Sequence, residues 1–123
     1  MKLNNPLLLL LLALFTGQTI VAQPCLSGWQ YRVPVYVDNS SGSSVNDYQT
    51  SISLNSQALI ATGKMSANAA DIRVLTKTGA VLPHWVDHTT LNSTNTQIWF
   101  KTNLNATALD TVYLFYGNTS AVD

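Results

Sequence analysis

Glutamate is absent from the 123-residue chain, and cysteine occurs once, at Cys25. One cysteine excludes an intrachain disulfide, and with it the stapled class of small secreted scaffold. All six acids are Asp, and 10% of residues are charged, against about 25% in an average soluble domain. Six Lys and Arg cancel the acids, so there is no basic field for nucleic acid or an anionic membrane. What the chain has instead is 36 Ser, Thr and Asn residues. A polar, uncharged composition rich in β-branched Thr favours strands and turns over helices, which use Glu, Lys and Ala. A coiled coil, a nucleic-acid binder and a charged disordered tail are excluded on these grounds.

The longest apolar run, Leu7 to Phe15, follows Lys2 and is broken by Gly17, Gln18 and Thr19. A membrane span needs about 20 apolar residues. The order of positive residue, apolar run, polar stretch and Ile20-Val21-Ala22 predicts a signal peptide over residues 1–22, cleaved after Ala22. Residues 23–123 are then a single domain with net charge −1, secreted or held in the cell envelope. A domain of that length buries a core without staples. Gln23-Pro24 stands where lipid attachment to Cys25 would need small residues, so Cys25 is read as a plain thiol near the terminus.

A period of two runs through the rest. Trp29, Tyr31, Val33, Val35 and Val37 are expected on one face of a first strand, with Gln30, Arg32, Pro34, Tyr36 and Asp38 on the other. Pro34 has no amide proton, which places that strand at a sheet edge or at a bulge. Asn39 to Ser44 is a loop, and Tyr48 to Asn55 alternates as a second strand. Ser56 is expected to cap a two-turn helix ending at Gly63, with Leu59 or Ile60 packed on a sheet. Strands over 72–77 and 81–88 flank a Thr78-Gly79 turn that reads as a hairpin. Gln97 to Thr102 and Thr111 to Tyr116 complete six strands. The last is apolar on both faces, as a central strand covered from both sides must be. The fold class is all-β: an antiparallel β-sandwich, jelly-roll-like or an open barrel, with one short helix.

Seven landmarks then fall in order: Trp29 to Val35, Asp47-Tyr48-Gln49, Gly63-Lys64-Met65, Ala70 to Arg73, Leu82 to Trp85, Ile98-Trp99, and Tyr113 to Asn118. In this order the chain resembles a bacterial and archaeal family, the domain of unknown function numbered 2341, over about Gly28 to Ser120. The resemblance implies an extracellular or envelope protein with an accessory role, often beside lectin-like modules. It brings no established catalytic residues. The chain stops at Asp123, where a following module would begin.

Constellations that carry chemistry are few. His84 and His88 share a strand face but lie about 13 Å apart at ~3.3 Å per residue, too far for one zinc. No metal site and no cofactor is expected, and the two imidazoles read as one packed and one solvated. Asp71 and Arg73, two apart on a strand, would recognise a polar ligand or form an ion pair that fixes register, with Arg32 another possible partner. A glycoside hydrolase would need two carboxyls at set spacing, drawn here from Asp38, Asp47, Asp71, Asp87 and Asp110, most of which sit at turns. No nucleophile elbow or phosphate loop is present. The chain is therefore read as non-enzymatic, with that hydrolase as the remote alternative.

Aromatics on the outer faces are the better lead. Tyr36 falls opposite to Tyr31, and Trp99 falls opposite to Ile98 and Phe100, beside Gln97 and Lys101. An exposed Trp flanked by amide and ammonium donors stacks on a sugar or anchors a protein. The alternatives are that both rings fill the second side of a sandwich, or that they meet a neighbouring module. Tyr36, Trp99, Asp71 and Arg73 are the candidate ligand-binding residues. The leading expectation is a non-catalytic, glycan-binding or adhesive module, against a purely structural spacer or docking domain. Its partners are glycans or a neighbouring surface module, with no nucleic acid and no membrane span once the signal is cleaved.

Overall fold

The computed structural model describes residues 22–122. The expected signal peptide, apart from Ala22, lies outside the described residues. No helix among them is long and apolar enough to cross a membrane. The elements are β1 Tyr31–Asn39, β2 Val45–Leu54, α1 Ser56–Ala61, β3 Arg73–Thr76, β4 His84–Val86, β5 Thr96–Leu104 and β6 Ala108–Tyr116. They form two three-stranded sheets, ordered β1-β6-β3 and β2-β5-β4. Every pairing is antiparallel. The chain is an all-β sandwich with one short helix, as its alternation predicts.

The two central strands set the core. β6 sends Val112, Leu114 and Tyr116 between the sheets, where they meet Ile98 and Phe100 of β5, Ile52 of β2, Val74 of β3 and Val86 of β4. Ile98 and Val74 are wholly buried, each worth roughly 1.5–3 kcal/mol of transfer free energy. The other face of β6 is covered as well. Tyr113 and Phe115 pack with Leu75 beneath Leu26 and Trp29. That accounts for the doubly apolar run at the end of the sequence.

β1 occupies an edge, where the missing amide proton of Pro34 breaks no ladder. The same edge position corrects one expectation. Val33 lies opposite Leu114 yet is 39% exposed, because only one flank of an edge strand is paired. A second correction concerns Trp29. It precedes β1 behind a turn at Gly28 (φ +90°), and it covers the outer face while Tyr31 joins the core. Its indole Nε1 donates to the Asp71 carbonyl at 2.6 Å.

The helix cap is also shifted. Asn55, not Ser56, caps α1, its side chain accepting from the Ala58 amide at 3.0 Å. Ser56 is turned inward and fully buried, bonded to the Thr96 hydroxyl at 2.6 Å and accepting from the Asn92 amide. Leu59 and Ile60 pack on the core as expected. The Thr78-Gly79 turn forms, with the Thr76 amide donating to the Ala80 carbonyl at 2.8 Å. Only one bridge follows, Leu75 with Val81. After Pro83 the chain crosses to the other sheet, so β3 and β4 are not hairpin partners and β4 is confined to three residues.

At the end of the inner face, Tyr31 and Tyr116 stack with ring centroids 5.2 Å apart. Burial, reinforced by the neighbouring Tyr31 phenol, pushes the Tyr116 phenol above its ordinary value near 10. Below about pH 10 both folded and unfolded chains carry it neutral; above that the unfolded chain ionises first, so stability falls as pH rises. Tyr116→Phe is expected to keep the stack and to lose less stability than the wild type between roughly pH 9 and 11. Urea melts across that range check this, and equal losses in both proteins would refute it.

Candidate functional site

Strand register places two tryptophans side by side. Trp85 of β4 lies opposite Trp99 of β5, and Trp99 lies opposite Ser51 of β2. Directly opposed residues share a face across strands about 4.8 Å apart. Because His84 and Val86 flank Trp85 and point toward the core side, and Ile98 and Phe100 flank Trp99 likewise, both indoles face outward. Trp85 is 58% exposed, and Trp99 is half-buried.

One strand step along, Lys101 lies opposite Gln49. The Lys101 amide donates to the Pro83 carbonyl at 3.0 Å, which extends the ladder past β4 and sets the proline beside the indoles. Gln49, Pro83, Trp85, Trp99 and Lys101, with the edges of His84 and Phe100, line a shallow hollow of about 180 Å³. Sites that enclose a drug-sized ligand run to roughly 300–1,000 Å³, so this one fits the flat of a single ring. On the other side, Ser51 donates to the Gln97 side-chain oxygen at 3.0 Å, and the Gln97 amide donates to Asn95. That network holds Gln97 in place. Gln49 and Lys101 take no part in it and stand exposed.

The four residues singled out from the sequence do not converge. Trp99 lies at the hollow. Tyr36 is 65% exposed but sits on β1, opposite Thr111, and therefore faces away from the other side of the sandwich. Asp71 is 1% exposed, and its carboxylate accepts from the Ser66 amide at 3.1 Å and the Gly117 amide at 2.8 Å. Arg73 donates to the carbonyls of Ala70, Ile72 and Val122. Its guanidinium lies 5.3 Å from the Trp29 ring centre. Asp71 precedes β3 in a turn, so the strand geometry that would put it beside Arg73 does not arise. Arg32 lies over Tyr113 and donates to the Pro24 carbonyl, clasping the segment before β1.

Trp85 is the residue that sequence reasoning missed. Its signal was present in the alternation around His84 and Val86, but its meaning depends on which strand lies alongside. His84 directs one ring nitrogen to the Leu82 carbonyl at 3.0 Å and the other to the Ile72 carbonyl at 3.1 Å. His88 is exposed, and both imidazoles border a second hollow with Trp85. Among the described residues no group of three His, Cys, Asp or Glu is placed to hold a metal. Three other carboxylates serve their own turns, and Asp47 sits exposed at a bulge in β2, where its amide donates to the Asn103 side chain at 3.0 Å. Asp38 accepts from the Ser40 amide at 2.8 Å, and the bonds from Ser40 hold its carboxyl below the usual range. Asp87 accepts from Thr89, and Asp110 from Asn105.

Residues 68–123 match the family model described as Domain of unknown function (DUF2341). The family resemblance is thereby borne out along the stretch that builds β3 to β6 and carries both Trp85 and Trp99. No curated protein and no solved structure matches the chain.

Proposed function

We propose that this protein is a non-catalytic extracellular accessory module that holds glycans on the outer face of β2, β4 and β5. The observation that carries the reading is the pair of outward indoles, Trp85 and Trp99, in register across β4 and β5. A pyranose offers a face of C–H groups that packs on an aromatic plane, while its hydroxyls need donors and acceptors at the rim. Gln49, Lys101 and Gln97 supply that rim. The shallow hollow suits a chain laid across a surface more than a small molecule enclosed in a pocket.

Affinity electrophoresis against a panel of polysaccharides tests the reading. Trp85→Ala and Trp99→Ala are each expected to weaken binding about tenfold or more, as for an aromatic anchor worth ~2 kcal/mol. Tyr36→Ala, on the opposite sheet, should leave affinity unchanged. Absence of binding to every polysaccharide, or binding indifferent to both tryptophans, refutes it.

One observation favours the second reading, a spacer or docking domain. On the outer face of β1 and β6, Tyr36 and Leu109 are 65% and 61% exposed. The register makes them diagonal neighbours, within mutual reach on one face. An apolar pair of that kind suits contact with an adjoining module. In that case Tyr36→Ala, and not Trp85→Ala, would release the partner.

A further inference from the structure

We infer that the glycan held on this face is anionic, with Lys101 reading a carboxylate or sulfate borne by the sugar that stacks on Trp99. The inference rests on the glycan reading above and adds the charge class of the ligand. Its first support is how the cations are used. Arg32 is committed to the Pro24 carbonyl, Arg73 to three carbonyls, and Lys64 lies over the Tyr31 ring, while Lys77 is exposed in the turn after β3, away from the hollow. Lys101 is exposed and stands at the hollow, whose lining includes no carboxylate.

The second support is direction. Along β5, Lys101 follows Trp99 by two residues and so shares its face, about 6.7 Å further on. A ring stacked on Trp99 therefore has the ammonium on a four-carbon stem within reach of a substituent at its edge. At the opposite end of the indole pair, the Asp87 amide bonds the Gln97 carbonyl. The Asp87 carboxylate accepts from the amide and hydroxyl of Thr89, which turns it toward its own loop. The ammonium of Lys101 thus lies just beyond Trp99, and the next carboxylate along the strands, Asp47, comes after it, where its amide bonds the Asn103 side chain. Opposite Lys101, Gln49 adds an amide donor for the same acid oxygens.

Matched polymers test the charge without changing the sugar. Polygalacturonate is compared with its fully methyl-esterified, uncharged form, and dextran sulfate with dextran. The acidic member of at least one pair is expected to bind about fivefold more tightly than its neutral counterpart at low salt. That preference should shrink toward unity near 1 M salt, as screening of an exposed ammonium requires. Lys101→Gln should remove the preference while keeping the thermal melt of the wild type. Which pair responds separates carboxylate from sulfate recognition. Equal affinity for charged and neutral polymers, or a preference that survives Lys101→Gln, overturns the anionic assignment. If those same polymers still lose affinity with Trp85→Ala, the glycan reading stands; binding to none of the four overturns the anionic assignment, and the glycan reading falls with it only if the wider polysaccharide panel also fails to bind.

Discussion

Asp71→Ala is expected to lower the melting temperature by about 10–20 °C. The carboxylate is 1% exposed and receives the amides of Ser66 and Gly117. Deleting it removes charge-assisted hydrogen bonds and leaves both donors without a partner, each costing roughly 1–3 kcal/mol when buried. A total near 3 kcal/mol moves the midpoint of a 100-residue domain by about 4–8 °C per kcal/mol. The surroundings have little room to adapt. Gly117 has φ +86°, and a methyl group there would stand 2.5 Å from the Tyr31 ring. Asp71→Asn keeps one acceptor but turns an NH2 toward amide donors, so it should fall between alanine and wild type. Differential scanning calorimetry decides, and an Asp71→Ala midpoint within about 3 °C of wild type would show that the carboxylate is no structural hub.

Phe100→Ala is expected to cost about 3–5 kcal/mol, the range for deleting a buried aromatic and leaving a cavity. Phe100 is 2% exposed at the middle of β5, with Thr50 on one side and His84 on the other. Its neighbours in sequence, Trp99 and Lys101, point the opposite way, to the outer face. Stability and ligand contact are therefore separable on one strand. In urea titrations Phe100→Ala should unfold well before wild type, yet below its own transition, since only its edge reaches the hollow, it should lose less affinity for polysaccharide than Trp85→Ala does. Trp85→Ala should show the reverse pattern. If Phe100→Ala lost as much affinity while still folded as Trp85→Ala does, the two faces of β5 would not be independent.

What the residues disclose in advance depends on how local the cause is. β5 and β6 are legible because a period of two, with large apolar residues at Ile98, Phe100, Val112 and Leu114, leaves little choice of face. The outward setting of Trp99 follows from the same alternation. Its companion Trp85 does not, since the pairing of Trp85 with Trp99 is a property of register between strands. The alternation through Val81 to His88 carries no mark of the place where the chain changes sheet. Asn55 and Ser56 are equally good caps by type; Thr96 and Asn92, remote in the chain, draw Ser56 inward. The side-chain charge of Asp71 points to a cation, whereas its partners are main-chain amides, which every residue except proline possesses and no sequence pattern advertises. The DUF2341 match begins at residue 68 and so includes four of the seven landmarks, from Ala70 onward.

The strand at the middle of the first sheet is the sixth in chain order, and both of its flanking strands depend on it. While the polypeptide emerges from the ribosome, Tyr31–Asn39 and Arg73–Thr76 have no ladder to join until residues 108–116 exist. That sheet cannot assemble until residue 116 has been synthesised, and it then closes contacts between distant parts, which belongs to the slower, millisecond-to-second class of domains. Such a delay keeps a nascent chain threadable, a useful property for any polypeptide that has to pass through a narrow pore before taking shape.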